Sequence, residues 1–171
     1  MKKEIFHERN LCLVGRAFIR KAVRAVITNE DRILMIHSGI NGDYKFPGGG
    51  IESSETHEQA LRREIAEECG LELRTAGKLI GEITEYGSSR DTVYDFFRMD
   101  SYYYSCEVDS FDFHELDLDD YEQKLKFRPV WIPPADAAAQ NKHLLKSGRK
   151  FPRWTIRETY FLDYLLKTDK S

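Results

Sequence analysis

The sequence predicts an α/β protein in which helices cover both faces of a mixed β-sheet, an α/β/α sandwich. Two observations predict this class. Strand-length segments rich in β-branched and aromatic residues occur before and after a helix-length amphipathic segment, and two further helix-length segments close the chain. Because strands and helices follow one another in this order, a sheet with helices packed on it accounts for the pattern.

Strands are predicted in five segments. The first two flank the polar turn Asn29-Glu30-Asp31 and therefore form a hairpin. Two later strands flank the turn Gly87-Ser88-Ser89-Arg90, and Pro133-Pro134 ends the last one. The predicted segments are 18–28, 32–37, 78–86, 92–108 and 127–132.

Helices are predicted at 54–69, 135–146 and 155–167. Ser53 or Ser54 can cap the first helix, and Gly70 suits the left-handed position that ends it. The third helix carries an apolar stripe formed by Tyr160, Phe161, Tyr164 and Leu165.

The composition is that of a globular protein, and we expect one domain over residues 1–171. The chain is 41% hydrophobic and has a formal net charge of -3, which disfavours binding to polymeric nucleic acid. The sequence shows neither a signal peptide nor an apolar run of membrane-spanning length, so a cytoplasmic protein without membrane contact is expected. Three widely spaced cysteines indicate neither a disulfide framework nor a zinc site.

The most informative segment spans residues 49–71. After Gly49 come five residues and Glu55, then seven more and the run Arg63-Glu64-Ile65-Ala66-Glu67-Glu68-Cys69-Gly70-Leu71. Glu64, Glu67 and Glu68 stand at i, i+3 and i+4, so three like charges share one helix face. Hard cations such as Mg²⁺ or Mn²⁺ would offset that repulsion, whereas the alternative is an ordinary solvated acidic face.

This segment resembles the signature of the Nudix hydrolases, G-x5-E-x7-R-E-U-x-E-E-x-G-U with U aliphatic, and fills every specified position. The resemblance implies the sandwich fold and the Mg²⁺- or Mn²⁺-dependent hydrolysis of a phosphoanhydride in a nucleoside diphosphate linked to another moiety. It also implies that Arg63 pairs with Glu55 and fixes the preceding loop. The metal ligands that it implies are Gly48, through its carbonyl, Glu64, Glu67 and Glu68.

A base is needed to deprotonate the attacking water. Glu67 or Glu68 can serve, and Glu52 in the glycine-rich loop of residues 44–52 is a further candidate for contact with metal or substrate. In some Nudix hydrolases the base lies on a later loop. Here that loop holds several acidic residues, each of them more typical of a solvated surface: Glu115, Asp117, Asp119, Asp120 and Glu122.

Substrate binding must use residues outside this segment. Arg20, Arg24 and Lys45 are candidates for holding phosphates. The expected partner is a small nucleoside diphosphate derivative, and the sequence leaves a homodimer open. Two other functions on the same fold remain as alternatives, a nucleotide-sensing or binding domain without hydrolysis and a diphosphate isomerase.

Overall fold

The computed structural model describes residues 1–168. These residues form eight strands: β1 (Lys2–His7), β2 (Ala17–Val26), β3 (Thr28–Asn29), β4 (Arg32–Ser38), β5 (Tyr44–Lys45), β6 (Leu73–Ser88), β7 (Phe96–Val108) and β8 (Phe127–Ile132). The helices are α1 (His57–Cys69), α2 (Asp120–Lys124), α3 (Pro134–Lys146) and α4 (Trp154–Thr168). In this part of the chain, no helix combines the length and apolar character needed to cross a membrane.

The larger sheet has the strand order β1-β6-β7-β2. Its centre is the long antiparallel hairpin of β6 and β7, and β1 and β2 add to the two outer edges in parallel. The sheet is therefore mixed, as predicted. The smaller sheet is antiparallel and is built on β4, which pairs with β8 from Ile33 to Ser38 and with β3 and β5 towards its two ends.

Two apolar cores lie on opposite faces of the strands. Leu34 and Ile36 of β4 belong to the core that contains α1, whereas Ile33 and Met35 of the same strand belong to the core that contains α3 and α4. Successive side chains of a strand point to opposite faces, so the alternation in β4 places α1 on one side and α3 with α4 on the other. The predicted arrangement of helices on both sides of a mixed sheet is confirmed.

The start of α1 differs from the prediction. The helix begins at His57 and is capped by Thr56, whose hydroxyl accepts from the Gln59 amide at 3.2 Å while the Gln59 side chain accepts from the Thr56 amide at 2.8 Å. The predicted cap at Ser53 or Ser54 is wrong because this reciprocal capping box satisfies the first turn further along. At the other end, Gly70 has φ 62° and ψ 31°, the left-handed conformation that was predicted.

The sequence did not predict four short or edge elements, which are β1, β3, β5 and α2. Strand β1 consists mainly of charged and polar residues and gains its stability from pairing with β6, which itself begins at Leu73 rather than at 78. Helix α2 is only five residues long and has its own capping box between Asp119 and Glu122. Such short or edge elements carry little periodic signal, so tertiary contacts decide them.

Candidate active site

A pocket of about 650 Å³ opens where the glycine-rich loop after β5 meets α1, α2 and the start of α4. Its lining is rich in charges of both signs. The acidic residues are Glu52, Glu64, Glu67, Asp117, Asp119 and Glu122, and the basic ones are Arg20, Arg24, Lys45, Arg63 and Arg157. A pocket of this kind can hold cations and an anionic ligand together.

The glycine-rich loop is attached to β2 by backbone hydrogen bonds. Val23 N–H donates to Gly49 O at 3.0 Å, and Ala25 N–H donates to Pro47 O at 2.8 Å. Gly48 has φ 132° and lies so close to the Val23 carbonyl that a Cβ atom would overlap it. The loop therefore runs along the strand edge, and glycine is required at position 48 by both conformation and space.

Arg63 binds the loop and the helix carboxylates together. Its Nε and Nη2 atoms donate to the two oxygens of Glu55 at 2.7 and 2.9 Å, and Nη2 also donates to Gly50 O at 3.0 Å. Nη1 reaches Glu64 at 2.8 Å and Glu67 at 3.1 Å. Hydrogen bonds from Arg63 lower the pKa of Glu55 to about 2. The predicted pairing of Arg63 with Glu55 is present in the structure.

Glu64 lies buried against the glycine-rich loop. A Cβ atom on Gly49 would overlap the Glu64 carboxylate, so only glycine at position 49 leaves room for it. Burial raises the pKa of the Glu64 carboxyl, and the neighbouring charge of Glu68 raises it further. Burial and a like charge thus oppose ionisation of Glu64, whereas Arg63 favours it.

Glu68 is 1% exposed and connects α1 to the glycine-rich loop. It accepts from the Gly48 amide at 2.7 Å and forms an ion pair with Lys45, whose ammonium also lies 4.8 Å from the centre of the Phe127 ring. Lys45, predicted as a phosphate ligand, is therefore committed to a helix carboxylate in this structure.

The three predicted phosphate ligands differ in their surroundings. Arg24 is 7% exposed and donates to the Gly48 carbonyl, which places it beneath the loop. Arg20 is exposed, lies next to Gly50, and has no hydrogen-bond or ion-pair partner among residues 1–168. Of the three, Arg20 has the guanidinium that is available to a ligand.

Two of the predicted acidic residues reach the pocket with more freedom. Glu67 is half-buried and shares Arg63 with its neighbours, whereas Glu52 is exposed at the rim. Both line the pocket, although neither is held as tightly as Glu64 or Glu68.

The loop before β8 brings further carboxylates to the same pocket. The Asp117 amide donates to Glu67 O at 2.9 Å, and the backbone of His114 packs against Gly70, so the loop is fixed to the end of α1. Asp117, Asp119 and Glu122 line the pocket, whereas Glu115 and Asp120 do not. Burial and the nearby charge of Glu68 raise the pKa of Glu122 to about 8.

Residues of α4 in the pocket were missed by sequence reasoning. Trp154 and Arg157 line it, and Glu158 lies fully buried behind it. Their local sequence resembles that of any amphipathic helix, so only the fold identifies them. Tyr121 of α2, also missed, faces Trp154 edge-on with 6.4 Å between ring centres.

The oxygen atoms of the predicted ligands, Gly48, Glu64, Glu67 and Glu68, suit a hard divalent cation, although they do not already surround one point. Residues 1–168 contain no group of three or more Asp, Glu, His or Cys side chains already arranged around one point. The carboxylates of Glu64 and Glu67 pair instead with Arg63, and that of Glu68 pairs with Lys45. Carboxylate and carbonyl oxygens are the ligands that Mg²⁺ and Mn²⁺ prefer, so the residues present fit such an ion.

The family model of the NUDIX domain matches residues 19–155. The chain therefore belongs to the NUDIX domain family, and the resemblance seen in residues 49–71 is confirmed. Curated relatives match over a short stretch. The 8-oxo-dGTP diphosphatase of Proteus vulgaris is 47% identical over 38 residues, 22% of this chain and 34% of the relative. Nucleoside triphosphatase NudI of Escherichia coli strain SE11 is 48% identical over 50 residues, 29% of this chain and 32% of the relative.

These matches span only about a third of each relative. Two solved structures share the fold over a larger part of the chain. A NUDIX hydrolase of Nitrosomonas europaea aligns with a TM-score of 0.56 at 21% identity, over 80% of this chain and 94% of that one. A mutator MutT protein of Bacillus halodurans aligns with a TM-score of 0.52 at 15% identity, over 71% and 72%.

Proposed function

We propose that the protein is a metal-dependent hydrolase of a phosphoanhydride bond in a nucleoside diphosphate linked to another moiety. The observation that carries this proposal is the joint lining of one pocket by Glu64 and Glu67 of α1, the glycine-rich loop and an available arginine, Arg20. Family membership supports the proposal, and the triphosphatase and diphosphatase relatives act on substrates of the same chemical kind by their names.

Glu64, Glu67, Glu68 and the Gly48 carbonyl would hold Mg²⁺ or Mn²⁺. When bound, the metal would neutralise phosphate charge and lower the pKa of a bound water. Arg63 orients Glu64 and Glu67 through its Nη1 atom, which donates to both carboxylates, and Lys45 balances the charge of Glu68. These residues thus keep the ligating oxygens near the loop before substrate arrives.

Glu122 is the residue that we assign to accept a proton from the attacking water. Its position supports this assignment, because it lines the pocket and lies against Glu68 without an ion-pair partner among residues 1–168. Glu68 is less suitable since Lys45 and the Gly48 amide occupy it. Glu67 is the second candidate base, and Glu52 is placed to contact substrate at the rim.

The substrate's phosphates are assigned to Arg20, and its nucleoside to the aromatic side of the pocket. Arg20 offers a planar fork that fits two phosphate oxygens. Tyr121 and Trp154 present ring surfaces at the pocket, and Trp154 is held there by its indole N–H, which donates to Asp43 at 2.7 Å. Flat rings of this kind bind nucleobases by stacking.

The test is product release from a panel of nucleoside diphosphate sugars, dinucleoside polyphosphates, nucleoside triphosphates and ADP-ribose, with and without Mg²⁺ or Mn²⁺. Metal-dependent turnover that falls about a hundredfold in Glu67→Gln is expected. Glu58→Gln is the matched control, because Glu58 lies on the same helix, outside the pocket, and is exposed. No turnover of any substrate, together with tight binding of one nucleotide without metal, would contradict hydrolysis and favour a binding domain.

A further inference from the structure

Three charged residues lie buried at the pocket, with Arg24 and Arg157 in its lining and Glu158 behind it. Arg24 is 7% exposed, Arg157 is 3% exposed and Glu158 is fully buried. Burying charges carries a desolvation cost that their mutual attraction often does not exceed, so such a group is weak evidence of a role in stability. The contacts of these side chains with the glycine-rich loop indicate a different role.

Glu158 connects α4 to the glycine-rich loop. One of its oxygens, Oε2, accepts from the Phe46 amide at 3.2 Å. The other, Oε1, accepts from Nη2 and Nε of Arg157 at 2.6 and 3.1 Å. Arg157 is in turn paired with Glu85 of β6, so the Glu158 carboxylate is held from the side of the sheet.

Arg24 extends this connection to the Gly48 carbonyl. Its Nε atom, which is buried without a hydrogen bond, lies 3.9 Å from Oε1 of Glu158, and its Nη1 atom donates to Gly48 O. A carbonyl oxygen has two lone pairs, so one remains for a second partner in the pocket. Two nearby points of the loop, at Phe46 and Gly48, therefore depend on one carboxylate.

We propose that Glu158 is a positioning residue for the active site. Through the Phe46 amide and through Arg24, it sets the conformation of residues 46–48 and with it the direction of the Gly48 carbonyl. The effect on catalysis rests on the proposed function, whereas the effect on the loop does not. Glu158 itself contacts neither substrate nor metal in this assignment.

The test compares wild type with Glu158→Gln, which keeps the shape of the side chain but removes its charge. We expect amide exchange at Phe46 to rise about tenfold and the Mn²⁺ concentration for half-maximal binding, measured by electron paramagnetic resonance, to rise severalfold. Turnover should fall mainly in kcat. Asp163→Asn is the control, since Asp163 is on the same helix and pairs with Lys142 on the outer surface.

A folded Glu158→Gln protein with wild-type exchange at Phe46 and wild-type Mn²⁺ binding would overturn the proposal. Arg24→Lys tests the same connection from the loop side and keeps the buried carboxylate, so it also decides the matter if Glu158→Gln does not fold. The loss of the guanidinium donor to Gly48 should loosen the loop in the same way. Exchange and Mn²⁺ binding need no substrate, so a failure of the proposed hydrolysis leaves this test intact.

Discussion

The two sides of the pocket differ in how their carboxylates are held. On the side of α1, basic partners fix the acidic groups, since Arg63 binds Glu55, Glu64 and Glu67 and Lys45 binds Glu68. On the side of α2, Asp117 and Glu122 have no ion-pair partner within residues 1–168. The α1 side is therefore organised by ion pairs before a ligand binds, whereas on the α2 side the Glu122 carboxylate accepts a hydrogen bond from the Asp119 amide at 3.1 Å. Carboxylates fixed by ion pairs suit metal ligands on the α1 side, and a carboxylate without an ion pair suits a proton acceptor on the α2 side.

The largest effect that separates the two sides is expected from Glu122→Gln. Loss of the proton acceptor should lower kcat about a hundredfold and leave metal binding nearly unchanged, because the metal ligands of the proposal lie on the α1 side. Steady-state kinetics and Mn²⁺ titration measure the two quantities.

Glu115→Gln is the matched control for that variant. Glu115 lies in the same connection between β7 and β8 as Glu122 but is exposed and outside the pocket, so the kinetics of this variant should equal those of wild type. A Glu122→Gln protein with wild-type kcat would remove the α2 side from the chemistry.

Gly49→Ala should produce a smaller effect on the organised side. The added methyl group would displace the Glu64 carboxylate and raise the metal concentration for half-maximal activity, by about tenfold. Gly50→Ala is the comparison, because its methyl group would meet only the end of the flexible Arg20 side chain. Equal metal dependence in the two variants would show that the contact between Gly49 and Glu64 does not shape the site.

The two sides also differ in how far the sequence could predict them. The glutamates of α1 follow from helical spacing alone, so the sequence is sufficient to place them on one face of the helix. Phe46 and Glu158 are 112 residues apart, and no local spacing relates them. The availability of Arg20 and the burial of Arg24 also depend on how the loop packs on β2, which is a tertiary contact without a local sequence signal.

Arg20→Ala tests whether Arg20 binds the phosphates of the substrate, and its expected effect is smaller than that of Gly49→Ala. We expect KM to rise about fivefold to tenfold with kcat little changed, since an exposed guanidinium that binds substrate and transition state alike contributes uniform binding. Arg32→Ala serves as the control because Arg32 is exposed and outside the pocket. An unchanged KM in Arg20→Ala would assign the phosphates to other residues.

The pair of Glu55 and Arg63 predicts a pH-dependent difference in stability. Arg63 holds the pKa of Glu55 at about 2, below its ordinary value of 4.5. A lowered carboxylate pKa contributes stability that is fully present above pH 4.5 and is lost as the pH falls toward 2. Urea unfolding should therefore show Glu55→Gln less stable than wild type at pH 7, by roughly 1 to 2 kcal/mol, with the difference shrinking toward pH 3.

Glu58→Gln removes an exposed pair with Arg62 at 3.5 Å and should show little difference at either pH. A Glu55→Gln deficit that stays constant from pH 7 to 3 would mean that the side chain acts through packing rather than through its charge.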